Sequence, residues 1–186
     1  GYPITIFDES EQEFDELRFI NQYADLVLKS NRIDWLVPID ADEFLDAGGE
    51  NPRTYMEKWD IDFVYTVMWK TYVWNEDLEK KSGFVPDRFE KYRDEEYETF
   101  RKVVIPGQLY ERGKLLITHG NHDVLGIELK KKSDSSKKFL HYPIRSREQF
   151  KAQIVVNAIM EISRSSRREG EAWHWDNAYR AIKENR

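Results

Sequence analysis

The chain has 186 residues, 40% of them hydrophobic and 34% charged, which gives it apolar side chains enough for a folded core and places it outside the disordered class. A net charge of −6 speaks against binding nucleic acid through phosphate contacts. The absence of cysteine excludes disulfides, thiolate metal sites and a cysteine nucleophile, and suits a cytoplasmic setting; neither a signal peptide nor an apolar run of bilayer-crossing length is read.

Tyr2–Phe7 (YPITIF) is β-branched and aromatic and is expected to be a strand. Ser10 and Glu13 have capping-box spacing. Behind them Phe14, Leu17, Ile20, Ala24, Val27 and Leu28 recur at helical spacing, which predicts a helix from Ser10 to about Ser30. DWLVPI follows as a strand whose Pro38, unable to donate to a ladder, marks a distortion before the acids. After the loop DAGGENP a short helix is expected from Pro52 to Trp59, then a long aromatic strand from Asp62 to Trp74. Asn75 to Tyr97 reads as charged and irregular.

Phe100–Ile105 and Lys114–His119 are expected to be strands separated by PGQLYERG. Lys130–Lys138 (KKKSDSSKK) reads as a mobile basic loop, with a flexible lid or a peripheral contact with anionic lipid as its functional versions. FLHYPI returns to strand character. Ser146 and Gln149 open a helix whose inward face is Phe150, Ile154, Val155, Ala158, Ile159 and Ile162. A last helix holds Trp175, Ala178, Tyr179 and Ile182, and core packing is expected for one of Trp173 and Trp175. The order of elements predicts one α/β domain over residues 1–186, layered around a mixed sheet.

The run Trp35–Ile39 ends in three acids within four positions, Asp40, Asp42 and Glu43. Negative charge delivered to the end of a buried segment is costly unless something positive meets it. Asp40 and Asp42 lie at the carboxyl end of the strand, where ligands of open α/β sheets sit. Two carboxylates suit Mg²⁺ or Mn²⁺ bound together with substrate phosphate oxygens. The same pair can equally cap a turn.

W-L-V-P-I-D-A-D-E-F-L, from Trp35 to Leu45, resembles the metal-binding segment of family-2-like glycosyltransferases with the GT-A fold. FLHYPIRSREQFKAQI, from Phe139 to Ile154, resembles the H-Y-P-x-R-S-x-E-Q-F segment that follows in the same family. The resemblance implies a GT-A-like three-layer sandwich and a metal-dependent enzyme that moves a sugar from a nucleotide-sugar donor to a hydroxyl on a glycan or other acceptor. It implies Asp40, Asp42 and His141 as the metal and diphosphate residues, with Mn²⁺ or Mg²⁺ as cofactor. The strand–helix unit that holds the nucleoside in such domains has no counterpart ahead of Tyr2–Phe7, so a fragment or shortened form is expected. Without the resemblance, His141 reads as a satisfied half-buried histidine.

For the general base, two carboxylates are candidates: Asp123 in THGNHDV, and Glu43. Lys102 and Arg145 are candidates for offsetting diphosphate charge, Arg145 beside the helix start at Ser146. Two other readings stay open. One is a non-catalytic GT-A-like module that binds glycan or a partner. The other is a phosphate-processing metalloenzyme built from Asp40, Asp42, His119, His122 and Asp123.

Overall fold

The structure, a computed structural model, describes residues 4–8, 15–30, 33–112, 115–126, 129–164, 167, 170 and 172–184. The chain divides into two compact units, Glu16–Arg147 and a smaller one of Gly1–Asp15 with Glu148–Arg186.

The larger unit is mixed α/β. Helix α1 (Glu16–Ser30) leads to the short strand β1 (Trp35–Leu36), the acidic turn, and β2 (Glu43–Asp46). Helix α2 (Pro52–Met56) and the long strand β3 (Val64–Thr71) follow, then a 3-10 turn at Glu76–Lys80 and the short helix α3 (Val85–Arg88). Strand β4 (Arg101–Pro106) runs into α4 (Gly107–Arg112); β5 (Leu116–Ile117) and β6 (Val124–Leu125) form a hairpin; β7 (Lys131–His141) closes the unit. Five strands make one sheet in the order β1-β4-β3-β7-β2, with β3 and β7 parallel and the other neighbours antiparallel.

The alternation of β3 and β4 supplies a core on each face of the sheet. Val64, Val103 and Ile105 pack with Ala24 and Leu28 of α1, Tyr110 of α4, and Ile117 and Val124 of the hairpin. Tyr65, Val67 and Val104 point the other way, onto Tyr55, Trp59 and Phe139. Asn21 docks α1 on the hairpin by imitating a strand partner: its Nδ2 donates to Ile117 O (3.0 Å) and its Oδ1 accepts from Ile117 N (2.8 Å). Gly107 is required where β4 turns into α4, because a Cβ there would lie 2.0 Å from Ile33 O.

Several expectations are corrected. Residues 4–8 belong to no strand, and the capping box Ser10–Glu13 lies outside the described residues. Leu17 is exposed, and Phe19 takes the inward place on α1 instead. Only Trp35 and Leu36 of DWLVPI join the sheet, at its edge, so Pro38 costs no ladder bond. PGQLYERG contains α4 rather than a plain connector.

The mobile basic loop and its lid are also corrected, because Lys131–His141 is one strand paired with both β3 and β2. A register shift between Val67 and Trp69 absorbs its extra residues. Its polar side chains serve as anchors: Asp134 Oδ2 accepts from Tyr55 Oη and from Trp59 Nε1 (3.1 Å), and Lys137 Nζ donates to Ala47 O (2.8 Å). Phe139, fully buried, adds an apolar side chain whose burial is worth about 1.5–3 kcal/mol.

In the smaller unit, α5 (Arg147–Ser163, begun at the last residue of the larger unit) buries Ile154 and Ala158, while Phe150, Ile159 and Ile162 are exposed against expectation. Helix α6 (Trp173–Lys183) buries none of its side chains; Trp173 is 63% exposed, which corrects the expectation of a core tryptophan in favour of a half-buried Trp175. Arg167 Nη2 bonds Asp176 Oδ2 of α6 at 2.6 Å, and its Nε lies 4.0 Å from Glu161 Oε2 of α5. Among the described residues no helix is long and apolar enough to cross a membrane.

Candidate functional site

The acidic turn is closed by its own atoms. Glu43 N donates to Asp40 O (3.1 Å), and Asp40 N donates back to Glu43 Oε2 (3.1 Å). This bends the chain from β1 into β2 and turns the Glu43 side chain inward, where it is 3% exposed.

What meets the negative charge is Lys102. It shares a face of β4 with Val104, faces Val67 across the β3–β4 pair, and is fully buried. Its ammonium donates to Asp40 Oδ2 (2.7 Å) and to Gly120 O (2.8 Å), and lies 3.1 Å from Glu43 Oε1. The Trp69 ring adds a cation–π contact at 5.3 Å. Gly120 reaches Lys102 because the 3-10 turn His119–Asn121 takes a left-handed bend there (φ 70°). Two of the three acids are thus held by an internal cation, where the sequence suggested a diphosphate counter-charge.

Burial dominates at Glu43. It pushes the carboxyl up from 4.5 to about 7, against the Asp40 N–H and the Lys102 ammonium, which favour the charged form. The folded chain therefore holds a proton that the unfolded chain releases between these values. The stabilisation from this group is complete below pH 4.5 and is lost as pH rises through about 7. Denaturant unfolding of wild type and Glu43→Gln between about pH 5 and 8 checks this. The stability of wild type relative to the variant is expected to fall as pH rises, and a constant difference would contradict the assignment.

Asp42 is left for another partner. Its O accepts from Tyr142 N (3.0 Å), and Glu43 stands opposite His141 in the β2–β7 ladder. Asp42 Oδ2 lies 3.9 Å from His141 Nε2, with the Asp42 side chain 22% and the His141 side chain 14% exposed. His141 stacks on Trp69 at 4.1 Å and 29°, and its Nδ1 is 3.4 Å from Thr71 Oγ1. Burial is the largest influence on the ring, and the Lys102 ammonium acts with it. Together they hold it below 6.5 although Asp42, Asp40 and Glu96 pull the other way, so the imidazole is neutral at neutral pH.

The remaining candidates go elsewhere. Asp123 sits at the β5–β6 hairpin, where Oδ1 accepts from Lys131 Nζ (2.6 Å) and Val124 N (2.8 Å). Burial alone would raise it, but Lys131 and the Val124 N–H outweigh that and keep it below the usual carboxylate range, which suits an ion pair better than a base. His119 Nδ1 meets Glu16 Oε2 (2.9 Å), and His122 Nδ1 meets Arg101 O (2.8 Å). The set His119, His122 and Asp123 is therefore divided among separate partners. Arg145 is half-buried, and the Arg147 N–H two residues on is already taken by Glu79 Oε1 (2.9 Å).

Among the described residues no three carboxylate or imidazole side chains converge as a metal-holding group. The donor set of Asp42 and His141 fits a divalent cation that brings further ligands, such as phosphate oxygens, with it. Trp69, Thr71 and Glu96 are the neighbours that sequence reasoning missed; Glu96 accepts from the Thr71 N–H. Trp69 and Thr71 stand on alternate positions of a strand end facing the acidic turn, a signal available only once β3 and β7 are known to pair. No family model, no characterised protein and no solved structure matches this chain.

Proposed function

We propose that the chain is a metal-dependent glycosyltransferase domain of the GT-A type, moving a sugar from a nucleotide-sugar donor to an acceptor hydroxyl. One observation carries the reading. The two segments that resemble the family, far apart in sequence, meet where β2 pairs with the end of β7, and Asp42 Oδ2, just ahead of β2, lies 3.9 Å from His141 Nε2 at the end of β7.

Asp42 and His141 would hold Mn²⁺ or Mg²⁺, which when bound offsets charge on the diphosphate leaving group. Lys102 keeps Asp40 and Glu43 folded into the turn, and Trp69 sets the plane of the His141 ring. Glu43, buried and carrying a proton up to about pH 7, is the better of the two carboxylates as a group that exchanges a proton near neutrality.

Calorimetric titration of Mn²⁺ into the chain with and without UDP tests the reading. Binding is expected mainly with UDP present, and His141→Ala is expected to weaken it. Tight metal binding without nucleotide favours a phosphate-processing metalloenzyme. No binding in either case favours a non-catalytic module.

A further inference from the structure

We propose that Thr71 is a positioning residue for His141: its buried hydroxyl accepts a hydrogen bond from Nδ1–H of the ring and leaves Nε2 facing Asp42. This rests on the functional reading above and adds the device that readies the ring for a cation.

A neutral imidazole carries one N–H, and the hydrogen bond at one nitrogen decides what the other can do. The Nδ1 contact with Thr71 Oγ1 at 3.4 Å is the ring's one hydrogen bond among the described residues. At the opposite nitrogen, Asp42 Oδ2 stands 3.9 Å away, beyond hydrogen-bond reach. An Nε2–H facing a carboxylate would be drawn to about 2.7–2.9 Å. The geometry therefore assigns the proton to Nδ1, and the open gap to a lone pair and a carboxylate with room for a cation between them.

Both partners are fixed from several sides. Thr71 is 4% exposed and lies opposite His141 in the parallel β3–β7 ladder. Its O accepts from Arg93 N (3.0 Å), its N–H goes to Glu96, and the next residue, Tyr72, donates to His141 O (2.8 Å). The Trp69 stack removes ring rotation. Outer partners of this kind set the tautomer of ligating histidines.

The test is ¹⁵N NMR of the histidine ring nitrogens in the full chain without metal, His141 being identified by its loss in His141→Gln. Wild type is expected to carry the proton on Nδ1. Thr71→Val, isosteric, is expected to move it toward Nε2, and Thr71→Ser to restore it. In the Mn²⁺ titration with UDP, Thr71→Val is expected to bind about 10–100-fold more weakly, with Thr71→Ser near wild type. A wild-type ring protonated on Nε2, or one unchanged in Thr71→Val, overturns the proposal. An Nδ1–H ring in a protein that takes up no Mn²⁺ with UDP contradicts the glycosyltransferase reading, and the role given to Thr71 falls with it.

Discussion

Lys102→Met is expected to lower stability by about 3–5 kcal/mol, the cost of removing one partner from a buried ion pair. The size follows from the surroundings. Above about pH 7 Glu43 is ionised with no exposure to share its charge with water, and Asp40 loses the donor at 2.7 Å. Met keeps the length of the Lys stem and its packing in the sheet, so the loss reports the ammonium rather than a cavity. The penalty is expected to shrink in acid, where Glu43 is protonated. Double substitution with Glu43→Gln is expected to recover part of it, because the buried carboxylate is then gone. Denaturant unfolding of the two single variants and the double variant checks this. A Lys102→Met protein within about 1 kcal/mol of wild type would mean that the ammonium does not hold the turn.

The burial of Lys102 was within reach of sequence reasoning. In FRKVVIP, Lys102 and Val104 share one strand face, and period-two alternation places both against a core. The expectation of Lys102 as a counter-charge to a diphosphate leaves that alternation aside. The sheet's apolar strands β3 and β4 were legible because their own side chains carry the pattern. Strand β7 was not. Its first eight residues are Lys, Ser and Asp, and they become a strand through pairing with β3 and anchors such as Asp134 on Tyr55 and Trp59, contacts distant in sequence.

The candidate site was legible in the same uneven way. Asp42 is marked by the acidic run at a strand end and His141 by the resemblance, and their approach depends on the β2–β7 register, which no local pattern gives. Asp123 looked like a base because a carboxylate in a polar loop is ordinarily accessible; Lys131, on a strand read as a loop, takes it instead. Thr71 and Glu96 carry no sequence signal of their own. Their place beside His141 comes from the parallel ladder and from the return of the chain near Glu96.

The second large effect divides the D-A-D pair. Asp42 is expected to be indispensable for nucleotide-dependent metal binding, because its Oδ2 stands 3.9 Å from His141 Nε2. Asp40 is expected to matter for the fold instead, because Lys102 already holds it. Truncating one partner of a desolvated charge pair costs about 2–5 kcal/mol, so Asp42→Asn should weaken Mn²⁺ binding with UDP by on the order of 30-fold or more. Asp40→Asn keeps an amide oxygen for Lys102 and should change that affinity by no more than about fivefold, the size of an ordinary exposed charge interaction.

A side-by-side Mn²⁺ titration of Asp40→Asn and Asp42→Asn with UDP present is therefore the most direct measurement. The account predicts near-wild-type affinity in the first and loss in the second. Equal loss in both would contradict it, showing that Asp40 leaves Lys102 to join the metal.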